Sequence, residues 1–136
     1  MRIESNGFDK LLKKLEGIEN KVPKATKEIL TEGGEILTTE TRQAIRKAAN
    51  RGYATGALEH SVAPTNPKTN IYGSFVAVRP TGSDSKGTRN GEKWGYLLHG
   101  NGKGSEPRDF VSEAVGKAEG KIARTAEEII EKYLEE

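Results

Sequence analysis

The sequence contains no cysteine. Disulfides, thiol catalysis and thiolate metal sites are therefore excluded, and the absence fits synthesis in a reducing compartment. Long hydrophobic runs are also missing. No stretch approaches the roughly 18 consecutive apolar residues of a membrane span, and Met1 to Asp9 is too polar to form a signal-peptide core. Aromatics are scarce at 6%, and apolar residues reach only 33%. Such a lean core suits a chain that gains order by burying surface against neighbours. Neither sign of charge dominates: 22 Lys plus Arg stand against 20 Asp plus Glu, a net charge of +2. That balance does not announce nucleic-acid binding.

What is present fits one modest domain over residues 1–136. Charge is unevenly spread. Residues 111–136 hold seven acidic and four basic side chains, a balance of −3, while residues 51–110 hold eight basic and five acidic, a balance of +3. This is either an ordinary pair of solvated faces or complementary charge between neighbouring copies or partners. Ten of the 16 glycines cluster between Gly52 and Gly104, which points to loops and strands there.

Phe8, Leu11, Leu12, Leu15 and Ile18 recur at helical spacing, with Asn6 placed to cap. A second helix is expected from about Pro23 to Ala49. Gly33-Gly34 lies in its middle, marking either a kink or close packing against bare backbone. Residues 57–64 and 69–79 read as two strands joined by a turn at Pro64-Thr65-Asn66-Pro67. Ile71, Phe75 and Ala77 would share one face of the second strand, and Tyr72, Val76 and Val78 the other. With apolar side chains on both faces, that strand should be central, its second face covered at least in part. Thr81 to Glu92 has no apolar residue and reads as an exposed, mobile loop in which Lys86 and Arg89 are candidate partner contacts. A third strand is expected over Lys93–His99. The last helix should span about Arg108 to Leu134, anchored by Phe110. The fold class is α+β: two N-terminal helices, a small antiparallel sheet of three or four strands, and a long C-terminal helix packed on the sheet.

No catalytic or cofactor constellation emerges. Asn101-Gly102-Lys103-Gly104-Ser105 lacks the glycine–lysine spacing of a nucleotide loop. His60 and His99 have no carboxylate at ligand spacing, so no metal site is expected. As adjacent strand residues, His60 and Ser61 would point to opposite faces and could not act as base and nucleophile. Acidic pairs such as Glu127-Glu128 fall on a solvated helix face.

Three short segments carry a resemblance. The first is Thr55, Gly56, Leu58 and Ser61 after a long helix. The second is Tyr96, Leu97, Leu98 and Gly100. The third is Pro107, Phe110 and Ala114 opening a C-terminal amphipathic helix. In this order and spacing the chain resembles the head–tail joining, or tail-completion, proteins of long-tailed bacteriophages and prophages, over about Gly7 to Leu134. It departs from them at His99, where many relatives carry glutamate, and at Arg108-Asp109, which separate Pro107 from Phe110. Tyr53-Ala54 also replace the proline common before the Thr-Gly pair.

The resemblance implies a structural virion protein of the neck with no enzymatic activity and no cofactor. Copies would form a six-fold ring between the head-side connector and the tail-tube protein, made in the bacterial host cytoplasm. DNA would pass through the lumen with only nonspecific contact, and no membrane would be involved. The alternative from residues alone is a small nucleic-acid-binding module using the basic middle segment. It is disfavoured by the near-neutral charge and the lack of interleaved aromatics.

Overall fold

Two long antiparallel helices form the frame. In the computed structural model, residues 1–18, 20–48, 56–71, 73–83, 86–100 and 109–135 are described, the side chain of Tyr96 excepted. Strand β1 (Arg2–Glu4) leads into a 3-10 turn (Ser5–Phe8), helix α1 (Asp9–Leu12) and a second 3-10 turn (Lys13–Leu15). Helix α2 (Lys21–Ala48) follows. Helix α3 (Ala57–Ser61) precedes strands β2 (Ala63–Pro64), β3 (Lys68–Asn70) and β4 (Gly73–Arg79). Helices α4 (Asn90–His99) and α5 (Phe110–Glu135) complete the order. The α+β class holds, with one small antiparallel sheet and a long C-terminal helix.

Helix α2 buries Ala25, Ile29, Leu30, Leu37, Ala44 and Ile45 against α5, the sheet and the N-terminal segment. Its buried threonines Thr26, Thr38 and Thr41 donate their hydroxyls to the carbonyls of Val22, Gly34 and Leu37, which satisfies them inside the core. The helix is continuous through Gly33-Gly34, and close packing is the reason for the pair. A Cβ at Gly33 would lie 3.2 Å from Ile3 Cδ1, and one at Gly34 would lie 3.1 Å from Pro64 Cβ and 3.5 Å from Val76 Cγ2.

Where α2 begins and α5 ends, charge opposes the helix dipoles, whereas Arg46 and Lys47 at the end of α2 and Glu113 at the start of α5 favour them. The first turns of α2 hold Lys21 and Lys24 and no acid, while the end of α5 holds Glu127, Glu128, Glu131 and Glu135. Antiparallel pairing lets one end answer the other. Lys21 Nζ donates to the Tyr133 carbonyl at 2.5 Å, supplying a donor where the last turn of α5 has none of its own. Glu28 accepts from Lys132 and, at 2.8 Å, from Tyr133 Oη. The Lys132 bond first, and the Tyr133 bond second, hold the Glu28 carboxyl below the usual carboxylate range.

Strand β4 is central, as its two-sided apolar pattern suggests. It pairs with β1 on one edge (Arg2 with Ala77, Ile3 with Val76, Glu4 with Phe75). On the other edge lie β2 (Ala63 with Arg79, Pro64 with Val78) and β3 (Lys68 with Phe75, Asn70 with Gly73). The expected reversal at Pro64–Pro67 is not there: this segment runs straight along β4. Thr65 N–H donates to the Ala77 carbonyl at 2.8 Å, and Ala77 N–H donates to Thr65 Oγ1 at 3.0 Å. The prolines, lacking a donor, are tolerated on this edge. The chain turns between Asn70 and Gly73, whose φ of +125° requires glycine. Ile71, expected to share a face with Phe75, is instead 91% exposed at that tip, and Tyr72 lies outside the described residues.

Two further strands expected from sequence are helices. Ala57, Leu58 and Glu59 are good helix formers, and Gly56 at φ +77° starts the turn that becomes α3. Only Ala63 and Pro64 of the expected 57–64 strand are extended. Residues 93–99 belong to α4, where Trp94, Leu97 and Leu98 bring one side to the core at helical spacing. The N-terminal helical run is a single α turn between two 3-10 turns, with Asn6 inside the first of them. Strand β1 has only three residues, too few for a periodic signal. No helix among the described residues is long and apolar enough to cross a membrane.

Candidate functional site

The described residues Leu58, Leu97, Leu98, Phe110 and Ala114 of the three sequence segments meet at one end of the molecule, where α3, α4, the start of α5 and the end of α2 come together. Leu58, Leu97 and Leu98 are partly buried and pack on a cluster formed by Leu37, Ala44, Ile45, Val62, Val78, Phe110, Ala114 and Ala118. Phe110 is 1% exposed, which bears out its role as core anchor. Trp94 meets it edge to face, with ring centroids 4.8 Å apart. Gly100 ends α4 at φ +80°, the left-handed position a helix terminus favours. Ser61 donates its hydroxyl to the Leu58 carbonyl at 2.7 Å. Tyr96 lies within α4. Thr55, Pro107 and the Asn101–Ser105 loop fall outside the described residues.

Side chains that sequence reading passed over hold this end in place. Arg42 donates from Nε and Nη2 to the Val62 carbonyl at 3.2 and 2.7 Å. One turn later, Arg46 pairs with Glu59 of α3. That pairing raises the Arg46 pKa, through the hydrogen bond first and Coulomb attraction second. The available signal was the spacing of Arg42 and Arg46 along one face of α2. The Ser61 carbonyl accepts from Thr81 N–H at 3.1 Å and Thr81 Oγ1 at 2.8 Å.

That last bond also bears on the expected mobile loop. Thr81 and Asn90 close it: Asn90 N–H donates to the Gly82 carbonyl at 3.0 Å, and Asn90 Nδ2 to the Thr81 carbonyl at 2.8 Å. A bridge joins Ser83 to Arg89. Asn90 is 3% exposed and opens α4. The segment thus has a buried polar anchor where an apolar one was sought, and its last three residues are helical. Lys86 and Arg89 are exposed on it.

At the opening of α5, Asp109 is the N-cap. Its Oδ1 accepts the Ser112 N–H at 3.0 Å and its Oδ2 the Ser112 hydroxyl at 2.7 Å. The first of these bonds, then the second, holds the Asp109 carboxyl below its ordinary range. Glu113 is likewise lowered, by Lys47 at 3.1 Å and then Lys117 at 3.2 Å. Lys47, Ala48, Asp109, Phe110 and Glu113 line an open depression of about 190 Å³. Its charged groups Lys47, Asp109 and Glu113 each have a protein partner.

The histidines do not join it. His60 Nδ1 lies 2.6 Å from the Gly56 carbonyl, and His99 is exposed at the end of α4. His60 and Ser61 are separated in their bonding because each turns back onto the backbone of α3, not because they alternate across a strand. Glu127 and Glu128 are exposed on α5. Among the described residues, no group of three or more His, Asp or Glu is arranged to hold a metal ion. Compared with known protein families, curated proteins and solved structures, the chain matches none.

Proposed function

We propose that this chain is a structural protein of a phage or prophage neck, forming a ring that joins the DNA-filled head to the tail tube. The observation that carries the reading is the order and spacing of the Thr55–Ser61, Tyr96–Gly100 and Pro107–Ala114 segments, laid on an α+β frame whose long helices flank them. Their described apolar residues, Leu58, Leu97, Leu98 and Phe110, serve one core cluster. This supports treating the three as parts of one assembly end. The function so read is geometric: a rigid frame presents a shallow, partly apolar end and charged outer faces to its neighbours. It performs no reaction and uses no cofactor. Its partners are the head-side connector, the tail tube and other copies of itself, with DNA touched nonspecifically in the lumen.

The test is deletion of the gene from the genome that encodes it, followed by electron microscopy of the particles. Filled heads and free tails that join when purified protein is added are the expected result. Normally joined particles from the deletion strain would remove the reading.

A further inference from the structure

Among the described residues, the outer face of the sheet is only partly covered: Phe75 and Ala77 are half-buried there. Along β4, Val76 and Val78 point inward and are buried, so Phe75, Ala77 and Arg79 stand on the other side. Directly paired residues share a face of an antiparallel sheet. Arg2 therefore joins that side opposite Ala77, and Glu4 and Lys68 join it on either side of Phe75. The Arg2 guanidinium lies 4.0 Å from the Phe75 ring centroid. The result is a partly exposed aromatic ring among three cations and one carboxylate.

The outer face of α5 has the opposite character. At 100° per residue, Gly116, Gly120, Ala123, Glu127 and Glu131 fall on one exposed stripe, with Glu119 at one flank and Arg124 at the other. A Cβ at Gly116 or Gly120 would meet nothing within 4 Å. Glycine lowers the stability of a helix interior, and among the described residues no neighbour uses the space it leaves.

We infer that the outer sheet face of one copy receives the outer face of α5 of a second copy, head to tail. The inference rests on the ring proposed above and names its contact surfaces. Glu119, Glu127 and Glu131 would meet Arg2, Lys68 and Arg79, and the bare backbone at Gly116 would let the helix lie close over Phe75. The two surfaces differ, so the contact is heterologous and repeats from copy to copy. It closes a ring where the rotation permits. Glu4 within the patch and the near-neutral net charge favour this occupant over a polyanion.

The cysteine-free sequence makes a clean test. Ala77→Cys and Gly120→Cys are made singly and together, and treated with a short bis-maleimide at high protein concentration. The doubly substituted chain should give a ladder of products ending at one closed size. A mixture of the two single variants should stop at a dimer. Glu127→Lys with Glu131→Lys should reduce the product about tenfold, and adding Arg2→Glu with Arg79→Glu should restore it. Four outcomes overturn the inference: absence of any 77–120 product, dimers from either single variant alone, failure of the charge-reversed set to rescue, or loss of the product on adding a single-stranded oligonucleotide held through Phe75. A ring seen by light scattering without the 77–120 link would sink these surfaces and leave the ring. A link that grows open chains of unlimited length would support the surfaces and remove the ring.

Discussion

The two ends of the core are built differently. At the end formed by α1, the start of α2 and the end of α5, ten residues are buried and only four partly buried apolar side chains pack around them. At the end formed by α3, α4 and the start of α5, eight are buried and ten partly buried. The first end is sealed, and its helix termini answer each other through Lys21, Glu28, Lys132 and Tyr133. The second is shallow, with Leu58, Trp94, Leu97 and Leu98 all reaching the surface. Fully buried apolar side chains predominate at the first end, where Ile18 and Leu134 are the exposed ones, and half-buried apolar side chains predominate at the second.

This contrast can be broken by mutation. The largest effect belongs to Phe110→Ala, because Phe110 is the one fully buried aromatic of the shallow end among the described residues. A loss of about 3–5 kcal/mol is expected in urea unfolding, comparable with the roughly 2–5 kcal/mol of Leu30→Ala at the sealed end. If Phe110→Ala costs far less, the shallow end is looser than its burial indicates. Next comes the link between α2 and α5. Glu40 is 4% exposed and bonds to Lys121, which is largely in solvent. Lys121→Met should destabilise by about 1–3 kcal/mol by stranding the carboxylate. Combining it with Glu40→Gln should recover much of that loss, and a double-mutant cycle checks the coupling.

The glycines sharpen the comparison at a smaller scale. Gly34→Ala should cost about 1–3 kcal/mol, because Pro64 lies in the way of the new methyl. Gly120→Ala should stabilise the isolated chain by about 1 kcal/mol, since its surroundings are open. Thermal melts of the two variants should shift in opposite directions.

The smallest effect is on pH dependence. Glu28, Asp109 and Glu113 all have carboxyls held below their ordinary values. Each contributes stability that is present above the unfolded carboxylate pKa and lost as pH falls through the lower folded value. Melting temperature should therefore be flat near neutrality and fall below about pH 4–5. Asp109→Asn keeps a good N-cap and should flatten the acid limb with little change at pH 7. An unchanged acid limb would show that the cap carboxylate does not control it.

The long helices were legible in the sequence because 28 and 26 residues repeat one period many times. The central strand was legible from its two-sided apolar pattern. The short elements were not. Over the five residues of α3, alternation and helical spacing cannot be told apart, and the deciding contacts come from Arg42 and Arg46 on another helix. In α4 the Trp94–Leu97–Leu98 spacing was available, but a strand-like apolar run competed with it. At the assembled end, Phe110 could be placed from its position in the α5 stripe. Trp94 and Asn90 could not, since their partners lie on other elements. The sheet's outer face depends on β1, whose three residues carry no pattern of their own.

The link from Lys21 to the Tyr133 carbonyl has a kinetic consequence. It joins the first residue of α2 to the last turn of α5, with about sixty residues between the two helices. The frame is therefore a helical hairpin with a very long connection. Closing that connection costs entropy, but each doubling of its length adds only about 0.6 kcal/mol. The helices' mutual contacts, being distant in sequence, should form late in folding. Weakening Lys21 should accordingly speed unfolding while leaving the refolding rate nearly untouched.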